Sequence, residues 1–451
     1  MYKIFSVDDH VIEPADLWTS RLPAKYRDVG PRVIDEGGRE FWAYEDQRVL
    51  TVGLNAVAGH PREAWNSEPT RFADMIPGCF DPKERARDML SQGVLASVCF
   101  PTLPRFGGML FNSFKDKELA DLCVKAWNDF ILDEWCPAGP PGLFVPMTIC
   151  QVWDPYLAAE EVRRCAGLGS KALCFVENPV PDGLPGFHSD HWDPLWEAVT
   201  ETGLPVCMHI ASSGYVPMPD PKAPVSTLIT LFNVCGMLAL VNLVTSPVCL
   251  KFPTIQIAFS EAGIGWIPSV LERADRQMDR HTGWAHVKRD LKPSEIFARN
   301  MYACMVEEPL GLSFYEAIGP DRILAETDYP HSDSPYPHIQ KAYEEVFAGI
   351  PDDVVEMVSH GNAERLFNWK MADDSLLTSP DVSEWRATLE EDPQAALALR
   401  HDVDGVDRVT VDVKPGDPCP RLVLRSTQYA KCGKTIDPDG HCTAGHKAIR
   451  D

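Results

Sequence analysis

The chain of 451 residues alternates short apolar segments with amphipathic segments of helical period, and this alternation constrains its fold most strongly. Apolar runs bounded by turn residues predict buried strands, and apolar side chains three and four residues apart predict helices. The predicted strands are Ile4–Asp8, Ala96–Pro101, Leu143–Ile149, Ala172–Val176, Pro205–Ile210, Ile255–Ser260, Met301–Val306 and Ile323–Thr327. Eight strand–helix units close a (β/α)8 barrel, so we predict an α/β fold of the TIM-barrel type. An open, doubly wound parallel sheet is the alternative, although no GxGxxG motif follows the first strand.

Two regions fall outside this repeat. Residues 15–82 form an insertion after the first strand, and in a barrel they would lie over the C-terminal mouth, where active sites form. Residues 372–451 form a polar C-terminal extension, which we expect to pack on the barrel or on a partner subunit. The barrel is therefore predicted over residues 1–371, and the protein is predicted to be a homodimer or a higher homo-oligomer.

The composition of the chain argues against several classes of binding partner. A formal net charge of −24 argues against nucleic acid and against anionic membranes. The longest apolar stretch, Val225 to Val248, is interrupted by Thr227, Asn233, Asn242 and Thr245, so no membrane span is predicted. The N-terminus lacks the pattern of a secretory signal, and the 14 cysteines form no regular framework. We expect a cytoplasmic protein that acts on a small molecule.

The ends of four predicted strands carry acidic and histidine side chains. In a barrel the C-terminal strand ends meet at one mouth, and residues two apart on a strand point to the same side. These side chains are Asp8 and His10 on strand one, His209 on strand five, Glu261 after strand six, and Asp328 and His331 after strand eight. Two imidazoles and two carboxylates, from Asp8, His10, His209 and Asp328, suit one divalent metal, with zinc favoured and manganese or iron as alternatives.

Several short motifs together resemble one known family. They are Val7-Asp8-Asp9-His10-Val11-Ile12-Glu13-Pro14, His209, Thr327-Asp328-Tyr329-Pro330-His331, Asp193-Pro194-Leu195-Trp196-Glu197-Ala198 and Gly361-Asn362-Ala363-Glu364-Arg365-Leu366-Phe367. In order and spacing, over about residues 3–370, they resemble the amidohydrolase-2 (amidohydrolase-related) family, which includes aminocarboxymuconate semialdehyde decarboxylase and resorcylate-type decarboxylases. The resemblance implies a metal-dependent barrel enzyme with Asp8, His10, His209 and Asp328 as metal ligands.

The chain departs from the family at one position. Many members carry a histidine in a His-x-Gly context after strand six, where this chain has Glu261-Ala262-Gly263. The resemblance gives that histidine a part in decarboxylation, so its replacement favours hydrolysis. We therefore expect a metal-dependent hydrolase of a small organic substrate, in which Asp328 is the base and His331 and Glu261 assist or position the substrate. A metal-dependent non-oxidative decarboxylase of an aromatic or unsaturated acid is the alternative, and a metal-free binding protein on the same fold is a third possibility.

Other candidate residues are assigned more ordinary roles. Lys171 lies at the start of strand four, at the wrong end of the barrel to bridge two metals, so a single metal is expected. His188 and His191 either reach the C-terminal mouth of the barrel or lie on a surface loop without a role in the site. The extension contains Cys419, Cys432, His441, Cys442 and His446. These five lack a Cys-x-x-Cys pair, so we interpret them as free thiols and surface histidines rather than a zinc site.

Overall fold

Eight parallel strands form the centre of the molecule. The computed structural model describes residues 1–49, 53–65, 71–285 and 290–392, and the backbone of three short strands at 409–410, 422–425 and 428–431. The eight strands, numbered one to eight below, are Ile4–Val11, Val94–Pro101, Phe144–Val145 with Met147–Thr148, Ala172–Val176, Val206–His209, Ile257–Ser260, Met301–Met305 and Ile323–Ala325. Each pairs in parallel with the next in chain order. The predicted strands are confirmed, with ends that differ by a few residues.

Two junctions close these strands into a barrel. Strand three is interrupted at Pro146, which has no amide hydrogen to donate, yet the Pro146 carbonyl still accepts from the amide of Lys171 at 2.7 Å. Strands eight and one are joined by the amide of Asp328, which donates to the Asp8 carbonyl at 2.8 Å. The amide of His10 donates in turn to the Tyr329 carbonyl at 2.7 Å. The (β/α)8 barrel predicted from the alternating pattern is therefore the fold.

Helices surround the barrel and connect its strands. The α-helices of the barrel layer are Pro82–Ser91, Met109–Asn112, Lys117–Phe130, Cys136–Ala138, Pro155–Gly167, Asp193–Thr202, Val225–Thr230, Phe232–Thr245, Val248–Lys251, Ile267–Ala285, Pro293–Asn300, Pro309–Leu312, Tyr315–Ile318, Ile339–Val346, Asp352–Glu356 and Asn362–Phe367. Single π-helical turns at Ile131–Trp135 and Met357–Gly361 continue two of them. Short 3-10 turns lie at Val180–Asp182, Asp190–Trp192 and Pro320–Arg322. Apolar side chains at helical spacing predict one continuous helix over Thr227–Leu243 and another over Leu310–Ile318. In the structure each of these helices is divided into two shorter segments.

The insertion packs beside the loop that follows strand eight. It contains helix Leu17–Arg21, an antiparallel sheet of Arg32–Asp35, Glu40–Tyr44 and Gln47–Val49, and 3-10 turns at Ala24–Tyr26, Gly53–Ala56, Arg62–Ala64, Phe72–Asp74 and Pro77–Cys79. The Val57 amide donates to the Pro330 carbonyl at 3.0 Å, and the Ile12 amide donates to the Cys79 carbonyl at the same distance. These bonds attach the insertion at the C-terminal mouth.

The described part of the extension lies on the chain's own barrel. A 3-10 turn, Asp374–Thr378, leads to helix Pro380–Glu391, which packs against helix Pro82–Ser91. The backbone at Val409–Thr410 pairs in parallel with the insertion strand Arg32–Asp35, and Leu422–Arg425 pairs with Gln428–Lys431. The cysteine and histidine residues discussed above, Cys419 to His446, lie outside the described residues.

Within the part of the chain that the structure describes, one helical stretch is long and apolar enough to cross a membrane by length and composition. It is Val225–Thr245, and 33% of its most apolar window is buried in the fold. A core helix of a water-soluble barrel can pass the same test, so this stretch is weak evidence for a membrane span.

Candidate metal centre

Strand one presents Asp8 and His10 to the barrel interior because Asp9 is held on its opposite side. The Asp9 carboxylate accepts hydrogen bonds from the Ser97 hydroxyl at 2.5 Å, the Thr327 hydroxyl at 2.5 Å and the Tyr329 amide at 3.0 Å. These bonds join strand one to strand two and to the loop after strand eight. With Asp9 fixed outward, the alternation of a strand turns both neighbours into the mouth.

Four predicted donors converge at the C-terminal mouth. One ligand atom from each of Asp8, His10, His209 and Asp328 lies within 4.8 Å of the other three. His10 Nε2 is 3.3 Å from Asp8 Oδ1 and 3.2 Å from Asp328 Oδ1. His209 Nε2 is 3.4 Å from Asp8 Oδ2. Two ligand atoms bound at about 2.1 Å to a tetrahedral ion would stand about 3.4 Å apart, so these separations fit one divalent cation.

Hydrogen bonds leave the candidate ligand atoms free to bind a cation. His209 Nδ1 is 2.7 Å from the carbonyl of Ile210, which places the proton on Nδ1 and the lone pair on Nε2. Both carboxylate oxygens of Asp8 and of Asp328, and both ring nitrogens of His10, have no hydrogen-bond partner among the described residues. Buried polar atoms left in this condition cost on the order of 1–3 kcal/mol each, which a bound cation would offset.

The electrostatics of the cluster also suit a cation. Burial raises the pKa of Asp8 and of Asp328 well above the usual range, and neighbouring carboxylates raise both further. Burial lowers the pKa of His209 to about 3, and it lowers the pKa of His10 well below its usual value. The imidazoles are therefore neutral, as metal ligation requires, and the carboxylates lack a compensating positive charge.

Glu261 and His331 lie beside these four residues. Glu261 Oε2 is 3.2 Å from His209 Nε2, and the Glu261 side chain is 13% exposed. Burial raises the pKa of Glu261 well above its usual range, helped by Asp328 and by a hydrogen bond with Asp333. The His331 ring stacks on the His10 ring with centroids 3.5 Å apart, and its Nδ1 is 3.3 Å from Asp328 Oδ1.

Backbone conformation and a buried carboxylate place these side chains. Glu261 and Asp328 have φ values of 56° and 49°, in the left-handed region that side chains rarely adopt. The Glu261 amide donates to the Glu326 carboxylate at 3.0 and 3.2 Å, and that carboxylate is fully buried. Glu326 therefore holds the turn after strand six against strand eight, a role that the sequence alone did not indicate.

An aromatic ring covers the cluster. The Phe106 ring centroid is 4.0 Å from that of His209, 4.8 Å from His10 and 5.9 Å from His331. Glu13 anchors the base of this loop by accepting from the amides of Thr102 and Leu103, both at 2.9 Å. Farther along the loop, a Cβ on Gly107 would meet the Val176 amide nitrogen at 2.9 Å, so the backbone approaches strand four as closely as glycine allows.

We expect Phe106→Ala to open the cluster to solvent. Removing the ring should let a chelator such as EDTA extract a bound cation at least about tenfold faster, which corresponds to a barrier lower by about 1.4 kcal/mol. Stopped-flow release of the metal measures this rate. Phe314→Ala is the matched control, since Phe314 is 42% exposed on the surface. Equal release rates in the two variants would show that Phe106 does not control access.

The remaining candidates lie away from the cluster. The Lys171 ammonium is 6.0 Å from the Trp369 ring centroid, beside the start of strand four, as expected from strand polarity. The other end of strand four leads to Glu177, which accepts from the amide and hydroxyl of Ser213 at 2.8 and 2.5 Å. His188 is exposed and hydrogen-bonds Asn242, and His191 packs on Trp192. Neither histidine belongs to the donor cluster.

A (β/α)8 barrel with two carboxylates and two imidazoles at its C-terminal mouth defines the class of metal-dependent barrel enzymes. The chain belongs to the amidohydrolase family, because the family model described as Amidohydrolase (Amidohydro_2) matches residues 32–369. It is therefore an enzyme of the hydrolase or carboxy-lyase type. The match begins after Asp8 and His10, so the assignment of those two residues depends on the geometry given above.

Solved structures show the same fold at low sequence identity. An amidohydrolase from Mycobacterium avium subsp. paratuberculosis K-10 is 20% identical, with a TM-score of 0.64 over 81% of this chain and 99% of that chain. The 5-carboxyvanillate decarboxylase LigW from Sphingomonas paucimobilis is 22% identical, with a TM-score of 0.57 over 82% and 100%. A dihydroxybenzoic acid decarboxylase from Polaromonas sp. JS666, with bound manganese and 2-nitroresorcinol, is 18% identical, with a TM-score of 0.52 over 82% and 97%. No curated protein sequence matches the chain significantly.

Proposed function

We propose that the chain is a hydrolase of a small, neutral organic substrate and that Asp8, His10, His209 and Asp328 hold its one divalent metal. The separations of 3.2–3.4 Å between their buried ligand atoms carry this proposal. Zinc suits the mixed nitrogen and oxygen set, and manganese, which the Polaromonas decarboxylase binds, is the alternative. We further propose that residues 1–371 form the catalytic barrel domain and that residues 372–451 form a separate C-terminal extension.

The side chains around the cation position have distinct roles. A divalent cation there would polarise a substrate oxygen and make a water more acidic at neutral pH. Asp328 accepts the proton of the attacking water and passes it to the leaving group. Glu261 supplies or shares a proton at the mouth, and His331, stacked on His10, orients the substrate. Phe106 keeps bulk water away from the reacting atoms.

Charge favours a neutral substrate over a carboxylate. Glu261, Glu326 and Asp9 add three carboxyl groups to those of Asp8 and Asp328, and each of them raises the pKa of Asp8. The buried guanidinium of Arg85 lies behind strand one, where it donates to the carbonyls of His10 and Gly78, both at 2.6 Å. A carboxylate substrate would enter this acidic environment at an electrostatic cost that an ester, lactone or amide avoids.

Decarboxylation is the second candidate, and the Glu261 carboxyl, whose pKa burial and Asp328 raise, supports it. Loss of CO₂ leaves a carbon that must be protonated, and a carboxyl of raised pKa beside the cation position is a suitable donor. Two proteins of similar fold are a 5-carboxyvanillate decarboxylase and a dihydroxybenzoic acid decarboxylase. Decarboxylation requires that the attraction between the cation and the substrate carboxylate exceed the repulsion from the surrounding carboxylates.

One assay separates the two candidates. The metal-loaded protein is offered a panel of neutral esters, lactones and amides, and a panel of hydroxybenzoates, while acid release and CO₂ are both measured. Hydrolysis predicts a new carboxylic acid without CO₂. Stoichiometric CO₂ from a hydroxybenzoate, with no turnover of the neutral panel, would overturn the proposed hydrolase.

Glu261→Gln should slow turnover while leaving the metal in place. Without the carboxyl proton donor, we expect kcat to fall by about a hundredfold. Metal content by elemental analysis should stay near one per chain, because the four proposed ligands are intact. Glu272→Gln is the matched control on a side chain that is 70% exposed. Unchanged kcat in Glu261→Gln would remove this residue from the mechanism.

We also propose a cytoplasmic homodimer or higher homo-oligomer, with a small molecule rather than nucleic acid or membrane as the other partner. The described cysteines are free thiols and all but Cys136 are buried, which supports a reducing compartment. Residues 223–250 contain no charged side chain, and Leu238 and Val241 in this stretch are 46% and 36% exposed. Two chains of net charge −24 repel each other least through such an uncharged apolar surface.

Light scattering tests the oligomeric state. At micromolar concentration we expect the mass of a dimer or more, and Leu238→Asp should shift it toward the monomer by placing a charge on the apolar surface. Leu168→Asp is the control, since Leu168 is 58% exposed directly after helix Pro155–Gly167. A monomeric wild-type protein would contradict the proposal.

A further inference from the structure

A buried aspartate joins the C-terminal extension to the loop after strand eight. The Asp88 carboxylate accepts from the Tyr329 hydroxyl at 2.6 Å, the Tyr336 hydroxyl at 3.0 Å and the indole N–H of Trp385 at 2.8 Å. Asp88 is 3% exposed, so water does not replace these partners. The three donors come from segments as far as 297 residues away in the sequence.

The Tyr329 end of this cluster is tied to the proposed metal ligands. Tyr329 follows Asp328 directly, and its carbonyl accepts from the His10 amide at 2.7 Å. The Arg85 guanidinium lies 4.4 Å from the Tyr329 ring centroid. A Cβ on Gly78 would meet Asp88 Oδ2 at 2.2 Å and the Tyr329 hydroxyl at 2.4 Å, so the packing leaves no room for adjustment on that side. A displacement of Tyr329 therefore moves the backbone of Asp328.

The Trp385 end belongs to helix Pro380–Glu391, which lies beyond the region matched by the family model. Trp385 is 7% exposed, and the Arg87 guanidinium stacks 4.3 Å from its ring centroid. The next residue, Arg386, donates to the Ser91 carbonyl at 2.7 Å and to the Leu377 carbonyl at 2.9 Å. The helix is thus fixed against Pro82–Ser91, with its indole N–H directed at Asp88.

We propose that Trp385 is a positioning residue for the active site, and that the extension acts through Asp88 and Tyr329 to fix the loop carrying Asp328, His331 and Asp333. The inference rests on the proposed function, because it assigns the loop a role in holding metal and substrate. The Trp385 N–H fixes the Asp88 carboxylate, the carboxylate fixes the Tyr329 hydroxyl, and Tyr329 fixes Asp328. Without the indole donor, the buried Asp88 carboxylate loses one of its three hydrogen bonds. We expect it then to shift toward its two remaining partners, Tyr329 and Tyr336, and to displace them.

The test removes the indole donor while keeping an aromatic ring. Trp385→Phe should weaken Mn²⁺ binding to the metal-stripped full-length protein by about tenfold, the low end for residues that orient metal ligands. It should also lower kcat more than it raises KM, since the effect is on reacting groups. Trp369→Phe is the matched control, because the Trp369 indole donates to the Gly142 carbonyl at 2.9 Å beside the start of strand four. Trp385→His, which retains a ring N–H, should recover part of the lost affinity.

A double-mutant cycle tests the route. In a Tyr329→Phe background the connection is already broken, so adding Trp385→Phe should change Mn²⁺ affinity less than twofold, whereas independent sites would give additive effects. Additive effects, or a Trp385→Phe variant with the affinity and kcat of Trp369→Phe, would overturn the inference. If Trp385→Phe does not fold, Trp385→His replaces it in the cycle. A partial loss of Mn²⁺ affinity that disappears in the Tyr329→Phe background supports the inference, and additive effects, or wild-type affinity in both backgrounds, overturn it. A wild-type chain that binds neither Zn²⁺ nor Mn²⁺ would overturn the proposed function and this inference with it.

Discussion

Replacing Asp328 by asparagine is expected to reduce turnover by about a thousandfold while the barrel stays folded. Asp328 is fully buried, neither of its carboxylate oxygens has a hydrogen-bond partner among the described residues, and its Oδ1 lies 3.2 Å from His10 Nε2 at the proposed cation position. The amide has nearly the same shape but cannot accept the proton of the attacking water. Its backbone bond to the Asp8 carbonyl does not involve the side chain and should persist. Circular dichroism measures whether the barrel stays folded, and kcat on the substrate identified with the assay panel measures the loss of turnover.

A matched substitution lies at the other end of the same strand. Asp321 precedes strand eight, pairs with Arg322 and has a side chain that is 54% exposed. Asp321→Asn makes the same chemical change without touching the mouth, and we expect wild-type kcat. If Asp328→Asn keeps near-normal turnover, Asp328 is not the base.

Replacing His209 by alanine is expected to weaken metal binding by more than about a hundredfold, because a ligand is lost rather than merely reoriented. A cation present at about a thousandfold its dissociation constant stabilises a folded protein by about 4 kcal/mol. The variant should lose most of that stabilisation, so its melting temperature should no longer respond to added Zn²⁺ or Mn²⁺. Calorimetric titration and thermal unfolding with and without the metal measure both effects.

His188→Ala is the control for this experiment. His188 is exposed, hydrogen-bonds Asn242 and lies outside the donor cluster, so its removal should leave metal affinity unchanged. Equal affinities for the His209→Ala and His188→Ala proteins would exclude His209 as a ligand.

The barrel could be predicted from the sequence because its strands are buried on both faces. Strands four and seven are buried along their whole length, so they appear in the sequence as continuous apolar runs rather than as alternating patterns. The polar residues at the ends of such strands then share one mouth, so the sequence predicts that Asp8, His209 and Asp328 lie together. The structure brings these side chains to one point, and their role as metal ligands stays a prediction.

Contacts between distant segments could not be predicted in the same way. Phe106 reaches the histidines because Glu13 and a close approach at Gly107 fix its loop, and neither contact has a local sequence signature. The Asp88 bond to Trp385 spans 297 residues. Apolar periodicity alone does not show where a helix divides, so the helix predicted over Thr227–Leu243 is two helices in the structure, Val225–Thr230 and Phe232–Thr245.

The most direct test of the metal site is a crystal structure of the Mn²⁺-loaded protein with anomalous data collected to locate manganese. The account predicts one anomalous peak per chain, within about 2.0–2.3 Å of side-chain atoms of Asp8, His10, His209 and Asp328, with Glu261 adjacent. A peak that these four side chains do not share, two peaks at the mouth, or no peak there would contradict it.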